Sequence, residues 1–399
     1  ALVLITVLVI RKARKIPYIT VGWFWYIVTL IPVIGIVQVG LQAMSDRYTY
    51  ITLIGLFVII AWGANDLLSK WLYRKICLGT LAAIILPVLI VLTWKQVQYW
   101  EDSITLYKHT LKHTSNNFII YNNLGKVYND SGKYKEAIEA YKQSTRIAPD
   151  YAMAHSNLGS AYAGSGKYKE AIRACKKAIN IDPDYAMAHS NLGSAYAGSG
   201  KYKEAIEAHK KAININPDYA VTHSNLGAAY AGSGKYKEAI RACKKAINID
   251  PDYAKAHYNL GVAYVALGKY KKAIEAYKKA IKINPDYAPA HSNLGASYAG
   301  SGKYKKAIEA FKQVIRIEPD YAEAHSNLGI AYGALGKYKK AIETFKQAIR
   351  IEPDYAEAHL SLGIAYLSSN DRGSAMEQYK ILKSLDPKLA KKLFSVINN

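Results

Sequence analysis

The sequence predicts an all-α protein: the C-terminal part of a polytopic helical membrane domain, followed by an α-solenoid superhelix. Two observations carry this. Residues 1–96 hold four apolar stretches parted by short charged loops, and from Phe118 onward one pattern returns every 34 residues, eight times. Composition shifts at the same boundary. Long apolar runs fill 1–100, whereas the rest is rich in Ala, Tyr, Lys and Gly. The net charge is +23, of which residues 1–100 carry +7 and the remainder +16, so both parts are basic. The three cysteines, Cys77, Cys175 and Cys243, have neither zinc-site nor disulfide-framework spacing.

The first element is "ALVLITVLVI", ten apolar residues followed at once by Arg11, Lys12, Arg14 and Lys15. A span needs about 20 apolar residues, and a signal peptide places its charges before the apolar core. Residues 1–10 therefore read as a partial helix whose beginning lies upstream, in a longer protein. Full spans are predicted at about 18–39, 48–63 and 76–94. Lys70, Arg74 and Lys75 lie on the same side as the first basic cluster, opposite the nearly neutral "MSDR" loop. The excess of cytoplasmic Lys and Arg in membrane proteins then puts that loop, and everything after Trp94, on the extracytoplasmic side.

Residues 97–117 read as a connecting helix, 118–389 as eight units of 34 residues, and 390–399 as a C-terminal cap. Units two and four differ only at Met153/Val221, Ala154/Thr222 and Ser160/Ala228, which fixes the register. In unit two Leu158, Ala161 and Tyr162 define a first helix. Ala171, Ile172, Cys175, Ala178 and Ile179 form the apolar face of a second. Gly166 supplies a turn with positive φ, Pro183 closes the unit, and Gly159 and Ala171 are small where the two helices cross. In the last unit Asn370 stands for the turn glycine and Ser361 for the repeated Asn, as in a terminal capping repeat.

A 34-residue helix–turn–helix unit with this pattern resembles the tetratricopeptide (TPR) repeat, so the solenoid is expected to be a TPR superhelix. The units with "HSNLG" also resemble those of O-linked N-acetylglucosamine transferases, which implies an asparagine ladder along the groove. The candidates are Asn123, Asn157, Asn191, Asn225, Asn259, Asn293 and Asn327. A primary amide is donor and acceptor together, so a row of them suits the backbone of an extended peptide of any sequence. The competing reading is a consensus residue with no role of its own. Ser156, Ser190 and Ser224, with Ala163 and Gly164, are expected to leave the groove shallow and uncharged.

The His residues at 155, 189, 223, 257, 291, 325 and 359 cannot converge on one metal, because helices pack about 8–10 Å apart and zinc bonds are ~2 Å. They read as packing residues in a slot that usually holds a bulky aromatic. Lysines such as Lys271, Lys272, Lys278, Lys279 and Lys282 share one face of a second helix. That face is either a solvated surface or a site for an anionic partner such as lipid headgroups or acidic glycan. No catalytic constellation, phosphate loop, metal site or cofactor signature appears in 101–399, and no nucleic-acid role is expected.

Residues 1–100, above all "QAMSDRYTY", are similar to the closing membrane segment of GT-C type, lipid-phosphate-sugar-dependent glycosyltransferases that carry C-terminal TPRs, such as the transmembrane-and-TPR O-mannosyltransferases. The resemblance implies a polyprenyl-phosphate sugar as donor and an acceptor protein held by the TPRs. The family's catalytic acids lie in a first external loop that this chain does not contain, so none is carried over. Arg47, Tyr48 and Tyr50 are candidates to hold a lipid phosphate. Alternatively Arg47 pairs with Asp46 or snorkels, and the tyrosines belong to an aromatic belt. Two functions stand: the C-terminal portion of a membrane glycosyltransferase, or a membrane-tethered TPR scaffold with no chemistry.

Overall fold

The computed structural model describes residues 2–13, 15–30, 46–69 and 71–398, with side chains at 5–13, 15–29, 54–69 and 71–398. Among the described residues all regular structure is helical, in 22 helices. The chain divides into two compact units, Ala1–Asp102 and Ser103–Asn399.

The first unit contains α1 (Leu2–Lys12), α2 (Pro17–Leu30), α3 (Asp46–Leu67) and α4 (Arg74–Gln98). Trp23 in α2 donates its indole N–H to Thr6 Oγ1 of α1 at 3.0 Å. Helices α2 and α3 cross backbone to backbone at Gly22 and Gly55. A Cβ on either glycine would strike the other's carbonyl oxygen, so the absence of side chains is what lets the two backbones approach. Helix α4 is different. Its 25 residues, about 37 Å long, have no buried residue, and a stretch of Leu, Ile and Val from Leu81 to Leu92 is exposed. With a mean hydropathy of 2.7 across its most apolar window, α4 is the one described helix long and apolar enough to cross a membrane. The expected 76–94 span falls within this helix, Arg74–Gln98. Helix α2 has 14 residues, and 31–39 of the expected 18–39 span lie outside the described residues. Helix α3 has 22 residues, and its described apolar part is Ile54–Leu67.

The second unit opens with α5 (Ser103–His113), which is shorter than the expected 97–117 because the chain turns at Tyr99–Asp102. Eight helix pairs follow, called helix A and helix B of each unit. In unit two they are Ala152–Gly164 and Tyr168–Ile181. Helix A ends in a Schellman motif: Lys167 N–H bonds Tyr162 C=O at 2.9 Å, Gly166 N–H bonds Ala163 C=O at 3.0 Å, and Gly166 has φ +77°. The turn recurs wherever the glycine does. In unit eight Asn370 takes the same geometry at φ +62°, and the next residue, Asp371, caps helix B by accepting from Ser374 N–H at 3.0 Å. Helix B ends at the residue before proline, which is forced out of the helical region. Asp182, before Pro183, sits at φ −133°.

Within a unit, helices A and B meet across the glycine of "NLG". A Cβ on Gly159 would collide with Cys175 Sγ, and one on Gly261 would come within 2.7 Å of the Tyr277 ring. The partner side chains build a core that runs from unit to unit. Ile274, Tyr277, Leu294, Ile308, Phe311 and Leu328 form one cluster across units five to seven. At the C-terminus a helix begins at Pro387, three residues before the expected 390–399 cap. Asp386 Oδ1 accepts from the N–H groups of Lys388 and Leu389 at 2.8 and 3.1 Å, and proline is favoured at the first helical position. Leu393 and Ile397 of this helix are buried against unit eight.

Candidate functional site

Neighbouring A helices touch one another, whereas neighbouring B helices do not. The A helices therefore lie on the inner, concave side of the solenoid, and the B helices diverge on the outer side.

On the inner side the seven asparagines follow one another on successive A helices, and five of them donate to the preceding unit. Asn157 Nδ2 donates to Asn122 Oδ1 at 3.0 Å. Asn191 Nδ2 donates to Ser156 Oγ at 3.0 Å and Asn259 Nδ2 to Ser224 Oγ at 3.0 Å. Asn293 Nδ2 donates to Tyr258 Oη at 3.1 Å, where "HYNLG" replaces "HSNLG". In each case the acceptor is the residue one place before the Asn slot in the preceding unit. At Asn225 the pattern shifts. Thr222 occupies Ser190 by a 3.2 Å bond, and Asn225 reaches Ser194 at 3.5 Å instead. Each of these amides joins unit to unit and keeps its Oδ1, but Asn191 and Asn259 also direct Nδ2 to the backbone carbonyls of Ser156 and Ser224 at 3.3 Å. Asn157, Asn191, Asn225 and Asn293 are half-buried, and so are Asn123 and Asn327. Asn259 is 9% exposed, so it is mainly a packing residue.

The serines expected to line the groove do not. Ser156, Ser190 and Ser224 are buried between units as acceptors. A position one before the Asn is turned by about 100° around the helix, which carries it from the groove to the interface. The groove is lined instead three residues after the Asn, where Ser160, Ser194, Ala228, Val262, Ala296, Ile330 and Ile364 succeed one another. The inner surface thus passes from small and polar to apolar, ending in a recess of about 400 Å³ edged by Ile330, Gly333, Ser361 and Ile364.

All seven histidines occupy one geometry. Nε2 lies 2.8–3.0 Å from the carbonyl oxygen of the unit's preceding proline, Pro149 for His155 and Pro353 for His359. The ring fills the expected packing slot and also ties the turn between units. Among the described residues no three His, Cys, Asp or Glu could hold a metal ion. Replacing His257 by Leu leaves the Pro251 carbonyl unpaired, and is expected to lower stability by about 1–3 kcal/mol; added zinc should leave the thermal unfolding of the native chain unchanged. A melting shift on zinc addition would contradict the packing role.

The lysine face is where it was expected. In helix B of unit five, Tyr270–Ile283, Lys271, Lys272, Lys278, Lys279 and Lys282 are exposed while Ala273, Tyr277 and Ala280 are buried. Arg47, Tyr48 and Tyr50 fall on α3, but their side chains lie outside the described residues.

Tetratricopeptide repeat profiles match residues 150–218 and 254–287, and further TPR profiles match 125–166, 230–268, 276–309, 297–336 and 334–370. Together these cover more than half of the chain. The chain belongs to the tetratricopeptide repeat family. A crystal structure of an APC/C hetero-tetramer, Cut9–Hcn1, superposes with a TM-score of 0.54 at 18% identity, over 72% of this chain and 57% of that one, and shares the fold. MamA is 34% identical, covering 42% of this chain and 97% of its own, with a TM-score of 0.38. YrrB, described as a TPR protein with an unusual peptide-binding site, is 26% identical over 47% of this chain and 96% of its own, with a TM-score of 0.39. No curated protein matches the sequence. The TPR solenoid is a protein-interaction module. Sequence reasoning missed the inter-unit use of the amides and the His–Pro bonds. The fixed six-residue interval from Pro to His was the available signal.

Proposed function

We propose that this chain is a membrane-anchored TPR module that holds an extended peptide or protein segment along its inner face. The observation that supports this most is the row of asparagines, five of which are fixed by Nδ2 bonds to the preceding unit and keep their Oδ1 as an acceptor beside small side chains. A pre-set amide costs little to order when it binds a strand of peptide backbone. Helix α4, apolar and unburied, serves as the anchor, and the solenoid lies on the extracytoplasmic side. A Ser199→Cys variant in a Cys77→Ser background tests that placement. It should react with a membrane-impermeant maleimide in intact cells, and protection until lysis would reverse the topology. Cys175 and Cys243 will not interfere, since both are buried and burial pushes their thiols up to about 12.

In the fuller reading the module is the C-terminal portion of a lipid-linked-sugar-dependent glycosyltransferase, and the peptide is its acceptor. A tethered scaffold for envelope or complex assembly uses the same inner face without the lipid. Retention of a polyprenyl phosphate by the full chain in nanodiscs, weakened by Arg47→Ala, supports the enzyme part. No retention leaves the scaffold.

A further inference from the structure

Neighbouring B helices diverge, and between units two and seven recesses open on the outer side with their floors on the intervening A helices. One that runs from unit two to Tyr230 and Lys235 of unit four measures about 880 Å³. Lys176, Lys203, Lys210, Lys211 and Lys235 stand around it, against Glu204 and Glu207. Lys210 pairs with Glu207 at 3.1 Å, and among the described residues the other four ammonium groups have no carboxylate within 4.0 Å. The next recesses repeat the imbalance. Between units four and five, Lys244, Lys272 and Lys279 face Glu275, and between units five and six, Lys278, Lys305 and Lys306 face Glu309. Between units six and seven it disappears, with Lys312 set against Glu343 among neutral side chains.

The floors are apolar and aromatic. Leu192 and Tyr196 form the first, Leu260 and Tyr264 the second, Leu294 and Tyr298 the third. Lys272 and Lys306 extend over the rings of Tyr264 and Tyr298 at 6.0 and 5.9 Å, which holds positive charge at the edge of an apolar floor. Unpaired like charges gathered around low-dielectric walls repel one another and concentrate anions.

We propose that the outer face of units two to six binds an acidic polysaccharide of the uronic-acid type. The carboxylates meet the lysines on the rims, and the C–H faces of the sugar rings meet the half-buried rings of Tyr196 and Tyr264. A linear polymer that carries regularly spaced charge suits basic recesses that succeed one another along units two to six. A flat bilayer surface does not enter them, and an acidic peptide brings charge without the apolar ring face. This surface is separate from the asparagine row, so the two can fail independently.

The test titrates the full chain in detergent micelles with a polygalacturonate oligosaccharide. Binding is expected that weakens as salt is raised, and that falls by about tenfold or more in Lys203→Glu/Lys211→Glu/Lys235→Glu. The triple Lys→Gln variant, checked for an unchanged melting transition, guards against misfolding and should show a smaller loss. Asn225→Ala, on the inner face, and Lys388→Glu/Lys391→Glu/Lys392→Glu, with the same charge change elsewhere, should leave the affinity unaltered. The proposal is overturned by absent binding, or by an equal loss in the two lysine triples. It is equally overturned if polyglutamate binds as tightly, or if anionic vesicles bind and polygalacturonate does not.

Discussion

Replacing Asn191, Asn225 and Asn259 together by Ala is expected to lower the affinity for an extended peptide by about a hundredfold. A net backbone hydrogen bond contributes about 0.5–1.5 kcal/mol, so losing two or three removes on the order of 3 kcal/mol, or about two decades in Kd. The same substitutions remove bonds between units, because Asn191 and Asn259 each donate to the preceding serine. They are therefore also expected to lower stability by about 1 kcal/mol apiece, felt as weaker coupling between neighbouring repeats. Two comparisons separate the effects. Ser156→Ala with Ser224→Ala removes the acceptors without touching the groove, and should reproduce the stability loss while leaving peptide affinity close to native. Single variants should divide by exposure: Asn225→Ala, half-buried with only a 3.5 Å bond to Ser194, should cost mostly affinity, and the nearly buried Asn259→Ala mostly stability. Equal affinity in all variants would reduce the row to a packing device.

The second large effect concerns His209. It occupies the slot in helix B of unit three that holds Tyr141, Cys175, Cys243, Tyr277, Phe311 and Phe345 in other units. It is fully buried, neither ring nitrogen has a hydrogen-bond partner, and the ring lies against Gly193. Burial lowers its pKa from the ordinary 6.5 to about 4. The folded protein thus resists protonation that the unfolded chain accepts. The stability held by the neutral ring is complete above about pH 6.5 and is lost as pH falls to about 4. At 1.36 kcal/mol per unit of pKa, the loss is on the order of 3 kcal/mol. His209→Phe fits a slot already used for Phe311 and Phe345. It should raise stability at neutral pH by about 1–3 kcal/mol, since an unpaired buried polar ring is removed, and should flatten the pH dependence across that window. His155, also lowered by burial, remains in both proteins, so the difference between their denaturation midpoints isolates His209. Identical pH profiles would contradict this assignment.

How much of this could be read in advance varied with how local the cause was. The turn glycines, the proline stops and the lysine faces depend on residues within one unit, and they stand where periodicity placed them. The role of Ser156 depended on the next unit. Its hydroxyl meets Asn191 only when two A helices lie side by side, and a linear reading saw it merely as small and polar. The same holds for the outer recesses, which arise because B helices part while A helices touch. His155 looked like a filler of an aromatic slot. Its bond to Pro149 required knowing that the interunit turn folds back over the ring. In the first compact unit the apolar helix α4 is plain from hydropathy, while the Gly22–Gly55 crossing joins residues far apart in sequence, with no repeat to announce it.

The inner-face account is tested most directly by thiol protection. In a Cys77→Ser background, one cysteine is placed at the exposed inner position Ala228 and, in a separate protein, one at the exposed outer position Lys237. Each is reacted with a thiol reagent with and without a saturating unstructured peptide. The account predicts that peptide slows labelling at 228 and leaves 237 unaffected. Protection at 237 with none at 228 would contradict it.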